Sequence, residues 1–203
     1  MTALWLLMFT VHFTDIITTM NVNALKILYV SNGVFVFAGA MLVPLYALFA
    51  ESVGADMLTI SVLAATMLIS KVLATISIRW LGDSVAETEY LLILGFLLRA
   101  LGWLVLLFFP IVFGLFVAQI IIGFGDGVGS PTFRAIFATH LDSGTEVRRY
   151  SEWELILATA GAVGAIVGGY IVTMFGFSTL LVFMSALALV SIVTVLLQSR
   201  TLL

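Results

Sequence analysis

Gln119 to His140, QIIIGFGDGVGSPTFRAIFATH, is the stretch that decides the fold. It is apolar enough to cross a membrane, yet it holds Gln119 and Asp126 inside the apolar run. Gln119, Gly123, Asp126 and Ser130 follow one another at +4, +3 and +4. That spacing puts all four on one helical face. Gly123, Gly125, Gly127 and Gly129 make two overlapping GxxxG pairs just before Pro131. Small residues at that spacing let membrane helices approach closely. A carboxylate at membrane depth is costly, so it marks a function or a structural ion pair.

The whole chain has the same character. Its 203 residues are 63% hydrophobic and 9% charged, and the mean hydropathy is +1.25. Soluble domains are roughly half apolar and about a quarter charged. The long Leu/Ile/Val/Phe runs lack the alternation of an outer-membrane barrel, so helices must carry the spans. The expected class is an all-α integral membrane protein in a lipid bilayer. A net charge of −3 gives no footprint for nucleic acid, and the absence of cysteine removes thiolate chemistry. No HExxH, GxSxG, Walker loop or His/Asp/Glu metal cluster is present, so neither an enzyme, a cofactor nor a metal is expected.

Residues 1–20 lack a basic leader and a small-residue cleavage site, and read as an interfacial or lead-in helix. Residues 21–203 divide into six spans at about 24–50, 57–78, 90–109, 111–138, 153–174 and 177–197. Pro44 is expected to kink the first span, and Lys71 to snorkel from the second toward the headgroups. The polar segment 139–152 is expected as a loop. Glu152 and Glu154 would sit at the start of the fifth span, where a helix N-terminus favours acids. Six of the eight basic residues, Lys26, Arg79, Arg134, Arg148, Arg149 and Arg200, fall at alternate ends of these spans. This bias places both ends of the six-span bundle in the cytoplasm, in the cytoplasmic (inner) membrane.

Two segments echo each other: PLYALFA at 44–50 and PTFRAIFA at 131–138. Three spans separate them, so a second copy would be inverted. Inverted three-helix repeats recur in secondary transporters, with the substrate near the midplane.

The pattern over about 24–199 resembles the N-terminal half of a major facilitator superfamily (MFS) transporter. IIIGFGDGVGSPTFRAIFATH and GAVGAIVGGYIVTMFGF carry the resemblance. Gly164, Gly168 and Gly169 match the family's small-residue motif, with Ala165 where proline is usual. In the 79–89 loop only Leu81 and Asp83 match the family's Gly-x-Leu-x-Asp signature. Gln119 stands where the family often has arginine. The resemblance implies two inverted repeats and a central cavity lined by the first and fourth spans. Those family carriers have twelve spans, so it also implies pairing with a homodimer mate or another six-span half.

These readings assign candidate residues. Asn32, Gln119, Asp126, Ser130 and Tyr46 are the candidate solute pathway. Arg99, Asp126 and Lys71 are the candidate intramembrane charge pair, with Arg99 the preferred mate because its depth suits Asp126 and Lys71 is shallower. An unpaired Asp126 in a wet cavity would instead carry protons. Asp83 and Arg134 are a candidate cytoplasmic gate. Gly123, Gly125, Gly127, Gly129, Gly161, Gly164, Gly168 and Gly169 are expected to pack helices. The expected function is transport of a small organic solute by alternating access. The other reading is a non-transporting scaffold that uses its small-residue faces, or a truncated transporter.

Overall fold

In a computed structural model the protein is described over residues 23–81, 88–141 and 143–197. The expected lead-in helix at 1–20, Asp83 and Arg200 lie outside the described residues. Among those described there are helices and turns and no strand.

Helix α1 spans Asn23–Leu42 and runs into a 3-10 turn at Val43–Leu45 and a short helix α2 at Tyr46–Ser52. Pro44 sits at the start of that turn. Its missing N–H cannot continue the α-helical ladder, so the chain tightens there and resumes. Gly54, at φ 93°, then reverses the chain, a conformation that suits glycine because it has no Cβ. Helix α3 spans Met57–Leu81. Asp56 starts it, its Oδ1 accepting the Thr59 backbone N–H at 2.9 Å. This is an N-cap in the usual sense. Helix α4 covers Thr88–Phe108. A tight turn at Pro110 leads to α5, Val112–Thr139.

Helix α6 is the chief departure from expectation. It spans Glu146–Leu196, 51 residues. The segment 139–152, expected as a loop, is therefore helical from Glu146. The expected spans 153–174 and 177–197 are both helical and meet at Gly176 with no loop between them. With α6 counted once, five helices among the described residues are long and apolar enough to cross a membrane, against six expected spans. Gly176 interrupts α6 with φ 82° and ψ 172°. An L side chain is strained there, so the glycine allows the chain to turn with no intervening loop.

Lipid tails are as apolar as leucine, so burial from water does not drive helices together in a bilayer; close packing does. Glycines set that packing. A Cβ on Gly164 would stand 2.8 Å from the Phe37 carbonyl oxygen, and one on Gly168 would collide with the Met41 carbonyl. These two bring α6 onto α1. Gly125 and Gly129 bring α5 onto Gly95 and Arg99 of α4; a Cβ on Gly95 would lie 2.6 Å from the Gly129 Cα. Gly123 and Gly127 turn the opposite side of α5 toward α3, against the carbonyls of Met67 and Lys71. Gly161 and Gly169 differ from expectation. Nothing lies within 4 Å of where their Cβ would stand, so they pack against no described element.

Pro131 lies inside α5 without ending it. Having no N–H, it leaves the carbonyl of Gly127, four residues earlier, without its helical donor. Thr75 of α3 supplies one: its hydroxyl donates to that carbonyl at 3.3 Å. A neighbouring helix thus satisfies the freed backbone group, as the lipid interior demands.

Candidate functional site

α1, α4, α5 and α6 leave a cavity of about 240 Å³ between them. Its polar lining is Asn32, Arg99, Asp126, Ser130 and Arg134. Its apolar walls include Phe96, Phe133 and Trp153. Gly95, Gly125 and Gly129 form part of the wall where α4 meets α5. The helical spacing of Asp126 and Ser130 puts both on the cavity side, one turn apart. Ser130 donates to Asp126 Oδ1 at 2.7 Å.

Asp126 is held from two sides. Lys71 Nζ, from α3, lies 2.6 Å from Oδ2. Arg99 Nη1, from α4, lies 3.6 Å from Oδ1. The first is a charge-assisted hydrogen bond; the second is beyond hydrogen-bond reach and acts only through Coulomb attraction. Lys71 therefore does not snorkel to the headgroups as expected. Its ammonium instead meets the Asp126 carboxylate of α5. The paired Asp126 is also not the unpaired carboxylate that proton carriage would require.

Arg99 is only partly satisfied. Its guanidinium carbon stands 4.4 Å from the Phe35 ring centre, close enough for a cation–π contact. Phe35 is fully buried and stacks in turn on Phe96 and Trp103. Yet Arg99 Nε is buried with no hydrogen-bond partner. Nη1 faces Asp126 from too far to bond.

Gln119 shares the helical face of Asp126 but does not line this cavity. Seven residues separate them, about 10 Å at 1.5 Å per residue. Gln119 instead neighbours Tyr46. The Oε1 and Oη of these two are buried without hydrogen-bond partners. They form a second polar spot, away from the cavity. Arg134 reaches the cavity rim, but its proposed mate Asp83 is outside the described residues.

Toward the Arg148–Arg149 end, the aromatic wall of the cavity continues into further rings. Trp153 packs on Phe133 with centroids 4.7 Å apart and stacks on Tyr29 at 5.9 Å. The Tyr29 hydroxyl donates to the Arg149 carbonyl at 3.1 Å, tying α1 to α6. Glu152 anchors this end. It is 9% exposed and accepts from Arg148 Nε at 3.0 Å and Arg149 Nη1 at 2.9 Å. Sequence reasoning gave Glu152 only a dipole role. The signal for more was there, in two arginines three and four residues before it on one helical face. Phe35 carried no such signal, because nothing in its sequence neighbourhood pairs it with Arg99.

A helical bundle with spanning helices, close glycine contacts and a charged polar cavity at its centre is the architecture of a polytopic membrane transporter. The Major Facilitator Superfamily profile matches residues 28–201. The chain belongs to that superfamily, a family of transporters. No curated protein matches the chain.

Proposed function

We propose that this protein moves a small organic solute across the cytoplasmic (inner) membrane by alternating access. It does so as a six-crossing MFS-type unit, built of two inverted three-helix repeats, that works against a second unit. The observation that carries this reading is the cavity holding Asp126, Arg99 and Ser130 between spanning helices. Charged groups at such depth are expensive in lipid and characteristically face a solute path.

Two further features support it. At 1.5 Å per residue the parts of α6 before and after Gly176, 146–175 and 177–196, are about 45 and 30 Å long, each enough for the roughly 30 Å hydrocarbon core. A turn at Gly176 gives two crossings there, and six in all. With the basic residues at alternate ends, both ends of the bundle are cytoplasmic. Second, the apolar window of α3 is only 17% buried, against 39–50% in the other four spanning helices. α3 leaves one long face uncovered, and Gly161 and Gly169 leave open ground on α6. A homodimer mate or another six-span half would cover both and close the cavity. Asn32, Asp126, Ser130 and Arg134 would then contact solute from this unit, with Tyr46 and Gln119 further along the path. The scaffold reading loses part of its support, because six of the eight glycines it draws on already pack within the unit, Gly161 and Gly169 remaining open. Gly123 and Gly127 hold α3, Gly125 and Gly129 hold α4, and Gly164 and Gly168 hold α1.

The chain has no cysteine, so single-cysteine variants give a clean test. Asn32→Cys and Leu157→Cys, both on the cavity wall, are labelled in sealed vesicles with a membrane-impermeant thiol reagent. Alternating access predicts labelling from each side of the membrane, in proportions that shift when solute is added. Labelling from one side only, whatever the conditions, would remove the reading.

A further inference from the structure

The charges around the cavity do not balance. Among the described residues Lys71, Arg99 and Arg134 converge here against one carboxylate, Asp126. Lys71 takes the closer share of Asp126, and Ser130 takes a hydrogen bond to it. That leaves Arg99 with a positive charge and five N–H donors. Its Nε is buried and unbonded, its Nη1 is too far from Asp126 to bond, and one face is occupied by Phe35. Its side chain is only a quarter exposed, and a buried donor left unbonded is unfavourable, so the site can take a further acceptor. What it lacks is an anion.

We infer that the cavity binds a small organic carboxylate, with the Arg99 guanidinium as its anchor. The inference rests on the transport reading for its biological setting, though not for its chemistry. A guanidinium fork matches a planar carboxylate by two parallel hydrogen bonds. Phe96, Phe133 and Trp153 offer apolar surface for the rest of the ligand. The 240 Å³ available falls below the roughly 300–1,000 Å³ of pockets that enclose drug-sized ligands, so the body must be compact. Arg134 at the rim draws the anion in, and Asn32 of α1 offers an amide in the lining. Asp126, already neutralised from the α3 side, repels the ligand weakly and can give up its loose contact with Arg99.

Purified full-length protein in lipid nanodiscs is titrated by calorimetry with four probes: benzoate, benzamide, benzylamine and inorganic phosphate. Benzoate is expected to bind at least about tenfold tighter than each of the others, because only it presents a planar charged acceptor with an apolar body. Arg99→Gln, which leaves the Lys71–Asp126 pair intact, is expected to weaken benzoate about tenfold or more. Arg99→Lys restores the charge without the fork and should recover only part of the loss. Arg134→Gln lies at an exposed position, so it is read even if the Arg99 variants fail to fold. A several-fold loss that salt abolishes is expected there. Preference for benzylamine, benzamide or phosphate would overturn the inference. So would benzoate affinity unchanged in Arg99→Gln or, should that variant not fold, in Arg134→Gln, and so would no benzoate binding up to roughly 10 mM. Benzoate binding without two-sided labelling would leave the carboxylate site standing and remove transport; the reverse pattern would do the opposite.

Discussion

Replacing Thr75 by valine takes one hydroxyl from α3 and leaves the Gly127 carbonyl of α5 with no donor, because Pro131 cannot supply one. The bond is long, 3.3 Å, and interhelical hydrogen bonds in membranes average about 0.6 kcal/mol. An acceptor stranded away from water costs about 1–3 kcal/mol. A loss of about 1 kcal/mol is therefore expected for Thr75→Val. Pro131→Ala returns a backbone N–H at that position, which can bond Gly127 directly. In that background Thr75→Val should cost only about 0.3 kcal/mol, since the carbonyl no longer depends on α3. The difference, about 0.7 kcal/mol of coupling, is read from a double-mutant cycle. Reversible unfolding in mixed micelles titrated with SDS supplies the four free energies. Equal losses in both backgrounds would refute the account of Thr75 as the stand-in donor.

Gly168→Ala drives a Cβ into the Met41 carbonyl and should destabilise the bundle by about 1–3 kcal/mol in the same assay. Gly169→Ala meets open space and should be neutral or stabilising by up to about 1 kcal/mol; a loss there would instead mean that a second unit packs on it. Glu152→Ala strands Arg149 in a half-closed site and should cost about 2 kcal/mol. Arg148→Ala, whose side chain is 74% exposed, should cost under about 1 kcal/mol; equal effects would contradict the asymmetry in burial. Asp56 gives a pH signature. Hydrogen bonds from Thr59, side chain first and then backbone, hold its carboxyl below the usual carboxylate range. A depressed folded value means that its contribution is present above the unfolded value and is lost as pH falls through the folded one. Thermal melts on acidification should show this loss in the parent and not in Asp56→Asn, which still caps the helix but does not titrate.

The helical period made much of this legible. Spacings of three and four residues put Asp126 beside Ser130, and Gly123 and Gly127 on one face of α5 with Gly125 and Gly129 on another. The family likeness was carried by the same stretch. Other features needed three dimensions. Depth counted along helix axes ranked Lys71 below Arg99 as a partner for Asp126. It ignored that a lysine stem spans several ångströms and that α3 lies directly against α5. Gln119 lies on the face of Asp126 but too far along the axis to share its cavity. The loop at 139–152 was inferred from polarity alone, yet its residues from Glu146 on are helical, with Arg148 and Arg149 bonded to Glu152. Gly176 looked like a boundary between two spans and is one by its dihedral angles, with helix directly on either side of it.

The contact between α3 and α5 repeats itself. Gly123 meets the Met67 carbonyl and the Ser70 Cβ; one turn on, Gly127 meets the Lys71 carbonyl and the Ala74 Cβ. Both helices therefore present the same relief every four residues. Sliding α3 by one turn, about 5.4 Å, would give a second alignment that keeps a small side chain against one glycine but sets Ile78 or Thr66 against the other. The ammonium of Lys71 on Asp126 and the hydroxyl of Thr75 on Gly127 exist in only one of them. Polar groups here act as an index mark on a periodic track: they help to set which notch α3 occupies.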